Sequence, residues 1–236
     1  MTVGLILANV LAFFFLQPGL GNTAEANVYF IENAPIPCQL EESCEFDAIQ
    51  VDPSLPPTPI PDRGLFSFLQ AILLSTFLHA GLLHIGGNML FLWVFGNNIE
   101  DHLGRLKYLL FYLAAGFAAA FAHILTHSNS VAPTVGASGA VAGVMGAYIL
   151  LYPRAKVNVL IPIFILWTVV RWPAIAVLGL WIVFQLWTGY QETSGAVSVA
   201  WMAHVGGFVF GIAAMFLLGG RPQRPRIEWE PQWGRY

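Results

Sequence analysis

The sequence predicts an all-α polytopic membrane protein, a bundle of six transmembrane helices, and three features of composition lead there. Hydrophobic residues make up 57% of the 236 positions and charged residues only 10%, where soluble domains carry about 25% charged. Mean hydropathy is +0.66. A soluble chain of this size needs more polar surface to cover itself, and a disordered one needs fewer apolar residues. The 23 Gly, 18 Phe and 8 Trp suit close helix packing and anchoring at the lipid–water boundary. A net charge of -3 offers no footprint for nucleic acid.

About 20 apolar residues carry a helix across a bilayer. Apolar stretches lie near Val3–Gln17, His84–Asn97, Leu106–Leu125, Ser138–Leu151, Pro173–Trp187 and Val197–Gly219. Several are shorter than the ideal, which packing in a bundle and local bilayer thinning accommodate. The first stretch has no basic residue before Leu5 and no small-residue cleavage site directly after it, so it reads as a span and not as a signal peptide. The segment Val157–Val170 contains Pro162 and lies between Lys156 and Arg171. It is expected to be an extra interfacial or re-entrant segment that does not span. The short alternating segments of an outer-membrane barrel are not seen. Residues 1–219 are thus expected to form one membrane domain, and 220–236 a basic cytoplasmic tail.

Charge sets the orientation. With the N-terminus inside, six spans place Arg105, Lys107, Arg154, Lys156, Arg171, Arg221, Arg224, Arg226 and Arg235 inside and only Arg63 outside. That is a strong positive-inside bias. A seventh span at Val157–Val170 would move the last four Arg outside. The plasma membrane is the simplest placement, with both termini cytoplasmic. The outer face is dominated by residues 18–64, an acidic loop with a Pro-rich run from Pro53 to Pro61, expected to be too polar and broken to be buried. It holds both cysteines, Cys38 and Cys44, which pair as a disulfide outside the cytoplasm or stay as two reduced thiols.

Polar groups inside spans are costly in lipid and are functional candidates by default. Gly136-Ala-Ser138-Gly139 opens the fourth helix, where free backbone N–H groups and the positive dipole end stabilise a developing oxyanion. Its plain alternative is a serine cap beside small packing residues. Ala203-His204 sits in the sixth helix, followed by Gly207 and Gly211 four residues apart, a spacing that lets a neighbouring helix come close. The alternative is a packed histidine bonded to another helix. His84 and Asn88 open the second helix on one face and offer N–H donors, or act as polar glue. All three motifs fall in the outer half of helices running the same way. Together they supply a nucleophile, a general base and oxyanion donors, the inventory for acyl transfer. No Asp or Glu is embedded at that depth to orient His204, so a Ser–His dyad is expected rather than a triad.

The order His-x-x-x-Asn, Gly-x-Ser-Gly, Ala-His-x-x-Gly-x-x-x-Gly over six spans resembles the rhomboid intramembrane serine proteases. The resemblance implies Ser138 as nucleophile and His204 as base, with His84, Asn88 and the Ser138 backbone N–H as the oxyanion hole. It implies structural roles for His79 and Glu100, and packing roles near the site for Gly136, Gly139, Gly207 and Gly211. Transmembrane proteins are the implied substrates, entering sideways from lipid between the second and fifth helices and cleaved near small residues. No metal or organic cofactor is required. The family's Trp-Arg pair in the first outer loop is absent, since that loop has no Trp. Trp167, Trp172, Trp181, Trp187 and Trp201 are expected to be mostly interfacial or lipid-facing anchors, and the run Arg221–Arg226 to touch anionic lipid. Two other functions fit the same residues: a catalytically silent binder of membrane clients, and a small transporter lined by these polar groups.

Overall fold

The computed structural model describes residues 1–19, 23–40, 44–163, 166–191 and 200–222. In chain order the described elements are α1 (Thr2–Phe15), α2 (Ala24–Asn33), a 3-10 turn at Pro37–Gln39, the bridged pair β1 (Ala48–Ile49) and β2 (Thr58–Pro59), then α3 (Leu65–Ser75), α4 (Leu82–Leu103), α5 (Arg105–Thr126) and α6 (Ser138–Leu151). A hairpin of β3 (Lys156–Ile163) and β4 (Leu166–Pro173) leads to α7 (Ala174–Gln191) and α8 (Trp201–Leu217).

By length and apolar composition, two of these helices suffice to cross a membrane, α5 and α7. The 22 residues of α5 reach ~33 Å at the usual helical rise. The expected six are not all met on that measure. Helices α1 and α6 have 14 residues each and α8 has 17. Helix α4 has 22 but carries His84, Asn88, Asn97, Asn98 and Glu100. The first apolar stretch runs past its helix: α1 ends at Phe15, two residues short of the expected end. Residues 197–199 of the last expected span, and the tail from 223 with Arg224, Arg226 and Arg235, lie outside the described residues. Large apolar side chains such as Leu7, Leu11, Leu83, Leu110, Phe184 and Phe216 face outward, the inverse of a soluble surface.

The direction of the helices follows from who touches whom. Met1 and Thr2 donate to the Glu100 carboxylate at one end of α1, and Gln17 pairs with His79 at the other, so α1 runs antiparallel to α4. A Cβ on Gly136 would meet His84, while Tyr148 meets Phe95 edge to face at 4.8 Å, so α4 and α6 are parallel. Gly139 and Gly143 face Ala119 and Ala115 of the antiparallel α5. The same two glycines face Gly207 and Gly211 of α8, again parallel. The starts of α4, α6 and α8 therefore share one end of the bundle.

The α6–α8 seam is the tightest contact. Added Cβ atoms on Gly207, Gly211 and Gly146 would overlap the backbone carbonyls of Gly139, Gly143 and Phe208 in turn. Helices surrounded by lipid gain nothing from burying apolar surface against each other, so such close approach supplies the dispersion that holds them.

Residues 18–64 correct the expectation of an unburied loop. Ala26, Phe30, Ile31, Ile36 and Cys38 are buried, and Cys38 and Cys44 are joined by a disulfide. Helix α2 starts at Thr23, whose hydroxyl accepts from the Ala26 N–H at 3.2 Å. Arg63 fixes the loop without the missing Trp. Its guanidinium donates to Gln39 Oε1 at 2.9 Å and to the Ile31 and Glu32 carbonyls. Burial lowers its pKa from the ordinary arginine value. Helix α3 was not anticipated. Phe68, Ala71, Ile72 and Ser75 mark its buried stripe at helical spacing, with Phe68 and Ile72 packed with Ala120 and Ile124 of α5.

The described parts of the apolar segment, 157–163 and 166–170, lie in the antiparallel β3–β4 pair and are not helical. Their β-branched run suits a strand, and Pro162 removes a donor that a helix would need. Trp172 and Trp187 are exposed, as expected of anchors. Trp181 and Trp201 differ: Trp181 packs on His204 and Phe208, and Trp201 on His127 and the Gly189 backbone.

The seam makes a sharp stability prediction. Gly211→Ala should destabilise the protein by roughly 1–3 kcal/mol through overpacking. Gly179→Ala, where an added Cβ meets nothing within 4 Å, should leave thermal unfolding in detergent unchanged.

Candidate active site

Ser138 is the first residue of α6. Its backbone N–H belongs to the opening turn, which has no intrahelical acceptors. The approach to it is held by backbone bonds: the Gly136 N–H donates to the Ser75 carbonyl at 2.9 Å and the Thr134 N–H to the Pro35 carbonyl at 3.0 Å. Gly136 has φ +123°, a conformation that side chains disfavour. It is also the point of closest approach to His84. A Cβ there would lie 2.8 Å from His84 Nε2 and Cε1, and 3.5 Å from Ser138 Oγ. Any other residue would push the imidazole away from the serine.

His79 braces this corner. It is fully buried, and its backbone N–H and carbonyl are both taken by the Gln17 carboxamide, at 2.9 and 2.7 Å. Its Nε2 lies 3.5 Å from the Ala137 N–H, a long contact that directs this ring at the residue before Ser138. The His79 and His84 rings meet edge to face at 5.1 Å. The Ala80 N–H donates to His84 Nδ1 at 3.3 Å. That acceptor role puts the ring hydrogen of neutral His84 on Nε2, the atom turned toward Gly136. Asn88 is buried one turn further on, and one of its amide hydrogens is used on the His84 carbonyl at 3.0 Å. Its second remains for another acceptor.

His204 lies in the first turn of α8, next to Ala203, whose carbonyl is 3.7 Å from the Cβ position of Gly139. The glycine seam thus brings the turn carrying His204 against the turn carrying Ser138. A partner that sequence reasoning missed completes the imidazole's surroundings. His204 Nδ1 is 2.6 Å from Oε1 of Gln185, a buried residue of α7. The Trp181 ring, one turn earlier on α7, lies 5.8 Å from the imidazole centroid. The signal for Gln185 was present: it is the one carboxamide in the apolar stretch Pro173–Trp187.

A cavity opens beside Ser138, lined by Ile72, Ser75 and Thr76 of α3, Gly116, Ala119 and Ala120 of α5, and Gly136, Gly139 and Ala203. Most of this lining is Gly, Ala or a small hydroxyl residue. His123 and His127 stack at 4.7 Å at the end of α5 and belong to a ring cluster with Trp201. Glu100 sits at the far end of α4, where its carboxylate ties down the start of α1.

Comparison with known proteins adds three relatives. The chain is 29% identical over 149 residues to "Rhomboid protein 1, mitochondrial" of Saccharomyces cerevisiae, covering 60% of this chain and 40% of the relative. It is 29% identical over 144 residues to "Presenilin-associated rhomboid-like protein, mitochondrial" of Bos taurus, covering 60% and 36%. To "RHOMBOID-like protein 4" of Arabidopsis thaliana it is 30% identical over 151 residues, covering 64% and 34%. The chain spans two fifths or less of the length of these relatives. The plasma-membrane placement is overturned by them, since the yeast and cattle proteins are named as mitochondrial. Charge asymmetry reports only which side of a membrane a loop faces, never which membrane it is. Residues 67–221, more than half of the chain and including every motif described above, match the Rhomboid domain, and the chain belongs to the rhomboid family.

Proposed function

We propose that this protein is an intramembrane serine endopeptidase in which Ser138 is the nucleophile and His204 the base. The observation that carries the reading is the α6–α8 seam, which fixes Ser138 and His204 on touching turns of parallel helices at one end of the bundle. In this reading residues 1–219 form a six-crossing membrane domain, the shorter helices spanning by way of their flanking turns and a thinned bilayer. The names of the yeast and cattle relatives support a mitochondrial membrane as its location.

In the proposed reaction Ser138 Oγ attacks the scissile carbonyl carbon while its proton passes to His204 Nε2. The carbonyl oxygen, now negative, is met by the Ser138 backbone N–H, His84 Nε2–H and the second Asn88 amide hydrogen. Collapse breaks the C–N bond, and the imidazolium gives its proton to the leaving amine. Water then attacks the acyl-serine carbonyl carbon as its proton passes to His204, and collapse breaks the C–Oγ bond, releasing the acid while the imidazolium returns the proton to Ser138 Oγ. The substrate is a transmembrane segment arriving from lipid, with its strand unwound at the site, because a helical peptide carbonyl is already hydrogen-bonded and shielded. The cavity beside Ser138 favours a small side chain at the cleaved bond, since its volume is only about 30 Å³.

Two outcomes test this. A serine-directed fluorophosphonate should label the detergent-solubilised protein at one site. Ser138→Ala should abolish the label, and His204→Ala should slow it by about 100-fold or more. Full-rate labelling of His204→Ala would remove the dyad. With a transmembrane test substrate, Ala at the cleaved position should be processed at least about tenfold faster than Phe, the ratio expected when a bulky ring must overpack a close-fitting pocket. Equal rates would detach the cavity from substrate choice.

A further inference from the structure

We infer that Gln185 is a positioning residue for the base: its carboxamide fixes the tautomer and the aim of His204. The inference rests on the proposed role of His204 and extends it to a third residue, on a third helix.

The argument begins with the imidazole's two nitrogens. A neutral histidine carries one ring hydrogen, and only the nitrogen without it can accept the serine proton. Left free, the ring populates both tautomers and turns about its side-chain bonds. In the structure His204 Nδ1 meets Gln185 Oε1 at 2.6 Å. A carboxamide oxygen only accepts, so Nδ1 holds the hydrogen and the lone pair is left on Nε2. The contact is also built to stay. Gln185 is 7% exposed, and in lipid or protein interior its oxygen has no competing water. Trp181, four residues earlier, lies against the same imidazole at 5.8 Å, so one face of α7 supplies both a hydrogen bond and a packing surface. Trp201, three residues before His204 in the same first turn of α8, fills the space over Gly189, four residues after Gln185. The α7–α8 contact is thus packed on both sides of the hydrogen bond.

The chemistry sets a limit on what Gln185 supplies. An aspartate at this position would also stabilise the imidazolium by charge. A carboxamide supplies the orientation and only a dipole for the charge. The expected signature is therefore a loss of rate upon removal, together with a change in the pH profile when a charge is introduced.

The test uses the whole chain in detergent or liposomes. Gln185→Leu should slow fluorophosphonate labelling and substrate cleavage by about 10- to 100-fold, as for loss of a hydrogen-bonded orienting partner. Gln185→Glu keeps an acceptor for Nδ1–H and should restore much of the rate. Its carboxylate favours the imidazolium, so the acidic limb of the pH profile should move to higher pH. Wild-type rate and profile in Gln185→Leu, or a folded Gln185→Glu as slow as Gln185→Leu, would overturn the inference. A readout independent of activity is the nitrogen NMR spectrum of histidine-labelled protein, with His204 assigned by His204→Ala. A protonated Nδ1 and bare Nε2 in the wild type support the inference even if no protease activity is found. A protonated Nε2 overturns it even if activity is found. Absence of any Ser138 labelling in the wild type would sink the protease reading by itself and leave the tautomer measurement standing.

Discussion

Everything at the candidate site depends on two helix backbones touching. Across the α6–α8 seam, Gly139 faces Gly207 and Gly143 faces Gly211, with no side chain between them. Water is not there to drive helices together in a bilayer, so attraction must come from many close atomic contacts, and these exist only if the axes approach to backbone distance. The same approach fixes the register. A one-residue slip would bring Cβ atoms against carbonyls along the whole seam. Ser138 and the turn of His204 lie at its end, and they inherit that register without needing a direct bond of their own.

A second layer of order comes from polar groups that the fold must satisfy. The chain before Ser138 is irregular and partly buried, a place where loose N–H and C=O groups are expensive. Ser75 takes the Gly136 N–H, Pro35 takes that of Thr134, and Gln17 takes both backbone groups of His79. The segment 18–64 thereby becomes part of the site's scaffold. Its disulfide and its Arg63 clamp, remote from Ser138, keep in place the carbonyl of Pro35 on which this corner leans.

What was legible in the sequence, and what was not, divides along physical lines. Ser138, His204 and His84 stood out because a polar side chain among apolar neighbours needs a reason to be there, and the structure does gather their helices at one end. The parallel direction of α4, α6 and α8 was readable from charge alternation alone. Helix α3 escaped because its stripe of Phe68, Ala71, Ile72 and Ser75 is too short to look like a span and sits beside a Pro-rich loop. The hairpin at 156–173 was read as apolar but not as strand, since a short apolar run has no distinguishing period. Gln185 stands out as the one carboxamide in its apolar stretch, but its pairing with His204 is a fact of three-dimensional packing that neither segment announces alone. The buried core of residues 18–64 was hidden by the segment's acidity, of which Glu25, Glu32, Glu45, Asp47 and Asp62 face outward.

Helix α7 turns much of its surface away from the bundle. Leu180, Val183, Phe184 and Leu186 all face outward, and yet Trp181 and Gln185 on its inner side cradle the imidazole. A helix with one face on hydrocarbon also answers to the thickness of the bilayer around it, which must match that face or be accommodated by tilt or local thinning. The thickness and stiffness of the host bilayer would then act directly on the geometry of a single nitrogen lone pair, making the lipid a working component of the site and not merely its container.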